Sequence, residues 1–274
     1  LELHETHRRI VYSWVTNKEK HREAVKKGVI KEQDYYGFCA RKIRDLMRVF
    51  PCERIALDSQ GGGFSVEESL HDPDKMQPGE YPIWKVIEEG KEQSTDGFPG
   101  LHIIELINFA KADWVSGANH GLRKDLEDKA ILFPFFDTLS LGFAVSSDKA
   151  AGRSSDTDTL EDCVNEIEEL KDELATIVHT QTGIAGRDRW DTPEVKLPGG
   201  KKGRMRKDRY SALLMANMVA RTLQRAPEPI VYNAVGGFVG NTGKYTGGAL
   251  YTGPDWFTKG SSGGCYGGVV RRGV

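Results

Sequence analysis

Residues 54–73, RIALDSQGGGFSVEESLHDP, set Asp58 at the end of a short apolar run and follow it with Gly61, Gly62 and Gly63. The tip of a buried strand is where open α/β sheets place their ligands. The three glycines serve one of two ends. They make a turn with positive φ, or they leave bare backbone that a phosphate chain can approach. A nucleotide-cradling loop is disfavoured, because no GK[ST] follows and the Asp58 charge repels the anion. Asp208 is the second acid of interest. It stands where a basic segment turns into an apolar helix, a place usually taken by a cap or a first-turn partner of the helix dipole. Its surroundings argue for more: Arg206, Lys207 and Arg209 flank it, and the helix behind is apolar enough to pack on a sheet and hold its first turn rigid. Two carboxylates, one on a strand and one opening a packed helix, can share divalent cations as two-metal phosphodiester hydrolysis requires. Magnesium or manganese, two ions in all, suits such hard oxygen ligands.

The charge distribution supplies a substrate for that chemistry. Net charge is −2, yet Lys196, Lys201, Lys202, Arg204, Arg206, Lys207 and Arg209 put seven cations into fourteen positions. Residues 156–173 are correspondingly acidic, so one face can meet phosphate while the whole stays near neutral. With few aromatics nearby, Lys201, Lys202, Arg204, Arg206, Lys207 and Arg209 read as an exposed loop that grips DNA phosphates without reading sequence. Other polar residues rank lower. His4, His7 and His21 lie in or near charged segments and read as solvated. His71, Asp72 and Asp74 have the look of a metal cluster but fit a polar turn better. His179 with Asp188 or Asp191 can line a cleft beside a hairpin. Ser211 follows no nucleophile elbow and no cysteine–histidine pair stands out, so covalent catalysis has little support.

Several elements must position these groups. LELHETHRRIVYSWV reads as two strands joined by a tight turn, with Ile10, Tyr12 and Trp14 alternating against Val11, Ser13 and Val15. Tyr35, Cys39, Ile43, Leu46, Met47 and Phe50 have helical spacing, and Pro51 ends that helix. RIALD is a buried strand, and FSVEESL a short helix after the glycines. A polar insertion runs over 71–100. Then come the strand LHIIELINF, a helix over 114–129, the strand ILFPFF, and a loop over 138–158. Leu160, Val164, Ile167, Leu170 and Leu174 line one face of an amphipathic helix. A hairpin reaches to Asp191, the basic loop spans 196–207, and a last helix starts at Asp208. This alternation predicts an α/β layered domain. Thirteen of the last forty residues are glycine, which marks 235–274 as a flexible tail.

At 274 residues the chain suits one large domain with appendages, and its 38% hydrophobic content supplies a sizeable core. No apolar stretch reaches membrane-spanning length and the N-terminus has no signal-peptide pattern. Cys39, Cys52, Cys163 and Cys265 form no CxxC, which argues for a reducing compartment and against a structural zinc.

RRIVYSWVTN, RIALDSQGGGFSVEESL, LHIIELINFAKADWVSGANHGLRKDLEDKAILFPFF and GRMRKDRYSALLMANMVAR, in that order, resemble the C-terminal nuclease domain of tailed-bacteriophage large terminase subunits. The resemblance covers residues 1 to about 225. It implies a ribonuclease H-like mixed sheet flanked by helices over 1–234, with a hairpin insertion and the glycine-rich tail at 235–274. It also implies metal-dependent cleavage of concatemeric double-stranded DNA during genome packaging, in the cytoplasm of an infected bacterial host. Asp58 matches the family's second carboxylate and Asp208 its third. The first, at the end of a strand preceding the segment that matches LELHETHRRIVYSWV, has no counterpart, nor has the ATPase phosphate loop. The expectation is therefore a fragment that starts after the first catalytic acid, with Glu2 and Glu5 as poor substitutes and with little or no cleavage by residues 1–274 alone. Partners implied are double-stranded DNA, the terminase ATPase domain, the small terminase subunit and the portal, with no membrane. Two rivals keep their place: a non-catalytic nucleic-acid-binding module, and another ribonuclease H-like nuclease such as a junction resolvase or transposase.

Overall fold

In a computed structural model the described residues are 1–87, 97–152, 159–182, 187–196 and 202–225, with the short strands 232–233 and 237–238. Two apolar clusters organise them. The first centres on a small parallel sheet. Strands β1 (Glu2–Leu3) and β2 (Arg8–Arg9) lie elsewhere, and after helices α1 (Lys18–Lys26) and α2 (Tyr35–Met47) the chain enters β3 (Ile55–Asp58). Helix α3 (Gly63–Ser69) and a 3-10 turn lead to β4 (Ile83–Lys85), and then comes β5 (Leu101–Ile107). The order is β3–β5–β4, all parallel, with Asp58 opposite Ile107. Ala40, Leu70, Ile83 and Ile104 are buried together, with Ile55, Leu57 and Leu106 packed against them. Asp34 caps α2 by accepting from the N–H groups of Tyr36 and Gly37, which fixes where that helix starts.

The second cluster is helical. Helix α4 (Ala112–Glu127), strand β6 (Ile131–Leu132), helix α5 (Thr138–Ala150) and helix α6 (Leu160–Thr176) follow in order. The chain then forms a hairpin of β7 (Val178–Thr182) and β8 (Arg187–Asp191), a second hairpin of β9 (Glu194–Lys196) and β10 (Lys202–Arg204), and helix α7 (Asp208–Arg225). Ala118, Leu122, Ile131, Cys163, Ile167, Leu170, Leu213 and Leu214 form its core, which Ile10 joins. Thr159 and Asp162 make a capping box at the start of α6. A buried polar knot ties the elements. The Asp125 carboxylate accepts from Arg8 (2.8 Å), Asn217 (2.8 Å) and Arg221 (2.7 Å), linking β2, α4 and α7. Helix α7 also packs on β3, so it is the member common to both halves.

The result is a mixed α/β chain with seven α-helices among the described residues and small separate sheets, one of them β1–β2–β6. Several expectations need correction. Residues 138–150 are helix α5, not a loop. The opening segment is strand only at 2–3 and 8–9, although Ile10 is buried as its alternation implied. ILFPFF is strand only at 131–132, because a proline two residues on has no N–H for a ladder. The polar insertion contributes β4, and the charged run after residue 17 is helix α1, capped by Asn17. The tail 235–274 lies outside the described residues, except for Gly237–Phe238, which pairs with Tyr232–Asn233. No helix among the described residues is long and apolar enough to cross a membrane.

Candidate functional site

Asp58 ends β3, and the strand is closed by the Ser59 N–H donating to the Ile107 carbonyl at 2.8 Å. Its carboxylate accepts from the Gln60 N–H at 2.8 Å, the local bond that lets an aspartate start a turn. Each glycine then has its own reason. Gly61 sits at φ +72°, where an L side chain is strained; a Cβ on Gly62 would come 2.5 Å from the Tyr36 ring; one on Gly63 would run into the Asp58 carbonyl oxygen. The turn alone therefore accounts for the glycine run. Asp58 is half-buried and forms no ion pair among the described residues.

Asp208 is the first residue of α7 and is exposed, also without an ion pair among the described residues. Its position relative to Asp58 is marked by two tyrosines. The Tyr35 hydroxyl is pushed up to about 12, mainly by burial, with Cys39, Tyr36 and the Asp208 charge adding to it. Tyr36, whose ring lies 5.4 Å from that of Tyr35, is the side chain against Gly62. The Tyr35–Tyr36 pair thus touches the Asp58 turn and lies within electrostatic reach of Asp208. The donor set suits a hard divalent cation: both carboxylates keep oxygen lone pairs uncommitted to cations, and neither is deeply buried. Among the described residues no third histidine, cysteine or acid gathers with them into a compact ligand group.

The basic stretch is a hairpin rather than the expected plain loop, with Lys202 opposite Lys196 and Arg204 opposite Glu194. Lys201 and the side chains of Lys196 and Lys202 lie outside the described residues. Of the rest, most are already paired. Arg204 binds Asp191 and comes within 3.7 Å of Glu194. Lys207 donates to the Trp190 carbonyl at 3.1 Å and lies 3.2 Å from Asp191. Burial works to raise the Asp191 carboxyl, but Lys207 and Arg204 outweigh it and hold it below its usual range. Arg209 faces inward, 2.6 Å from Glu166 and 2.9 Å from Glu173, where it fastens α7 to α6. Arg206 is exposed and has no acidic partner among the described residues.

A different cluster was largely invisible in the sequence. The Asp188 carboxylate accepts through Oδ2 from His120 Nε2 and through Oδ1 from His179 Nε2, each at 2.8 Å. Ser116 donates to Oδ2 at 2.9 Å, and His179 stacks on Trp190 with centroids 4.3 Å apart. The hairpin register sets this up: His179 opposes Trp190 and Gln181 opposes Asp188, so all four share one face, and β8 packs on α4. Ser116 and His120, four apart on α4, meet that face. The three partners lower the Asp188 carboxyl, with the His179 hydrogen bond first, then His120 and Ser116. His179 and Asp188 were candidates from sequence. His120 was not, and its only signal was the Ser116–His120 spacing.

The other histidines divide. His21 is buried rather than solvated, its Nε2 3.0 Å from the Glu32 carbonyl oxygen and its ring between Tyr35 and Phe38. His71 stacks on Trp84 at 4.2 Å, and Asp72 caps the 3-10 turn by accepting from the Asp74 N–H. Compared with known proteins, the chain matches no family model, no curated protein and no solved structure.

Proposed function

We propose that this chain is a metal-dependent endonuclease for double-stranded DNA, built on a ribonuclease H-like plan and acting as the nuclease part of a tailed-phage large terminase subunit. One observation carries the reading. Helix α7 packs on β3, and the Tyr35–Tyr36 pair relates the Asp58 turn to the Asp208 end of that helix. Two acids without an ion-pair partner among the described residues then belong to one region next to a basic hairpin. Asp58 and Asp208 would hold magnesium or manganese. Such ions, when bound, supply an attacking hydroxide and a charge to meet the leaving oxygen. The chain's own part is positional. Asp58 is fixed by the Gln60 N–H and by the ladder to β5, and Asp208 by a helix whose next residue, Arg209, is anchored to α6. Arg206, with the cations of the β9–β10 hairpin, would hold the phosphate chain beside them through contacts that carry no sequence information.

Nicking of supercoiled plasmid in manganese tests this. Joined to the preceding strand and acid that the terminase resemblance implies, the protein is expected to nick, whereas residues 1–274 by themselves should nick little or not at all. In the joined form Asp58→Asn or Asp208→Asn should stop nicking while DNA affinity stays the same or rises. Undiminished nicking by either variant rejects that acid as a ligand. A protein that binds DNA and never nicks it even with that acid supplied, in manganese or magnesium, is a binding module. Preference for four-way junctions over linear duplex identifies a resolvase instead.

A further inference from the structure

We propose that His120, His179 and Asp188 form a second metal site, for an ion of the zinc class, which fastens the β7–β8 hairpin to α4. The site shares no residue with the Asp58–Asp208 region and stands whether or not that region is catalytic. Its three ligand atoms, two imidazole nitrogens and a carboxylate oxygen, lie within 4.8 Å of one another. Two imidazoles with one carboxylate favour zinc, cobalt or nickel, whereas magnesium and calcium prefer all-oxygen sets. The cysteine spacing argued against structural zinc, but none of these ligands is a cysteine.

The geometry is close to what such an ion needs. Bonds of about 2.0–2.1 Å in a tetrahedral shell put ligand atoms roughly 3.3 Å apart. His120 Nε2 and His179 Nε2 lie 2.8 Å from different oxygens of Asp188, and the three ligand atoms lie within 4.8 Å of one another. An ion bound through one oxygen therefore lengthens that contact by about half an ångström and draws the other imidazole in. His120 can make that movement, since its side chain is 52% exposed, and the same exposure gives the ion its way in. The rest of the cluster is held. Trp190 stacks on His179, the hairpin register fixes Asp188, and Ser116 donates to Asp188 Oδ2, the outer-sphere bond that orients a ligating carboxylate. On loading, each ring carries its proton on Nδ1 and gives its Nε2 lone pair to the metal. Three protein ligands leave one position for water.

The bland alternative is a histidine–aspartate–histidine hydrogen-bond clamp with no ion, and the test separates the two. The full chain, with its accessible cysteines alkylated under native conditions and the buried Cys163 left intact, is titrated calorimetrically with zinc chloride and, separately, with magnesium chloride. We expect one zinc per chain with micromolar or tighter affinity, cobalt(II) substitution giving the strong visible absorption of a tetrahedral site, and no response there to magnesium. Zinc at a hundredfold excess over its Kd should raise Tm by about 5 °C or more. Ser116→Ala should weaken binding about tenfold. His120→Ala should weaken it more than Ser116→Ala does, and because His120 is half-exposed this variant should fold. Asp58→Asn should leave zinc affinity unchanged. Absence of zinc binding, or zinc binding that survives His120→Ala, overturns the proposal, as does loss of zinc binding in Asp58→Asn.

Discussion

The two acids at β3 and α7 and the three ligands at α4 and the hairpin are assembled by opposite means. Asp58 and Asp208 sit at element ends and are related through the packing of α7 on β3 and through the Tyr35–Tyr36 pair, not by direct contact among the described hydrogen bonds. His120, His179 and Asp188 lie within elements and touch directly, so their geometry is defined by side-chain contacts. The first arrangement suits hard ions that keep much of their water and exchange quickly. The second suits a resident ion with nitrogen ligands. Openness and definition are here distributed between two places, and both depend on α4 and α7 lying side by side.

That dependence offers ways to break the comparison. The largest effect should come from Asp58→Asn in the joined form, with a loss of nicking of at least about a thousandfold if its carboxylate is a metal ligand, measured on supercoiled plasmid. Next is Asp125→Ala. Removing the acid from the Arg8–Asn217–Arg221 knot leaves Arg8, 6% exposed, without its ion-pair partner. The cost should be about 3–5 kcal/mol in denaturant unfolding. Because the knot joins α4 to α7, zinc affinity and nicking should fall together, and a loss of only one would show that the sites are independently supported.

In the sheet half, acid should act through Glu80. Glu80 accepts from Arg41 at 3.0 Å and 2.5 Å, from Arg48 at 2.7 Å and from the Gln77 N–H at 2.9 Å. The Arg41 hydrogen bonds, working against burial, lower its carboxyl to about 2. A group lowered on folding stabilises above its unfolded pKa, and the benefit disappears as pH falls through the folded one. Thermal melts of the protein and of Glu80→Gln should therefore differ by about 1–3 kcal/mol at neutral pH and converge between pH about 4.5 and about 2. A constant gap would show that Glu80 acts by shape, not charge. The smallest effect is expected of Arg206→Ala. It should weaken DNA binding a few-fold and lower the salt slope by about one, whereas Arg209→Ala should cost stability first.

Much of this was legible where burial imposes a period. The Asp58 strand, the helix after the glycines, and α4, α6 and α7 were readable because one face of each is apolar. Helix α5 was not, since its Leu139 and Phe143 are 74% exposed and its Ser and Gly positions imitate a loop. Helix α1 hid because six of its nine residues are charged and only Ala24 and Val25 are apolar. For Asp58 and Asp208 the placement could be read in advance, strand tip and helix start, as the structure shows. His179 and Asp188 were marked by their place beside a hairpin, but His120 was not, because a lone histidine in a helix carries no signal until the hairpin register brings Asp188 to it. The basic segment misled differently: seven cations counted in sequence say nothing of the acids that Asp191, Glu166 and Glu173 bring to them.

Asp191 holds Arg204 and Lys207 before any phosphate arrives. It is a tethered counterion, and a polyanion that displaces it cannot send it into solution. Each such exchange trades one carboxylate for one phosphate at nearly equal energy and sets free little salt, so the hairpin would hold a duplex lightly. A grip of that kind resembles a bearing more than a clamp, allowing a long polymer to pass along the surface while being kept within range of the acids.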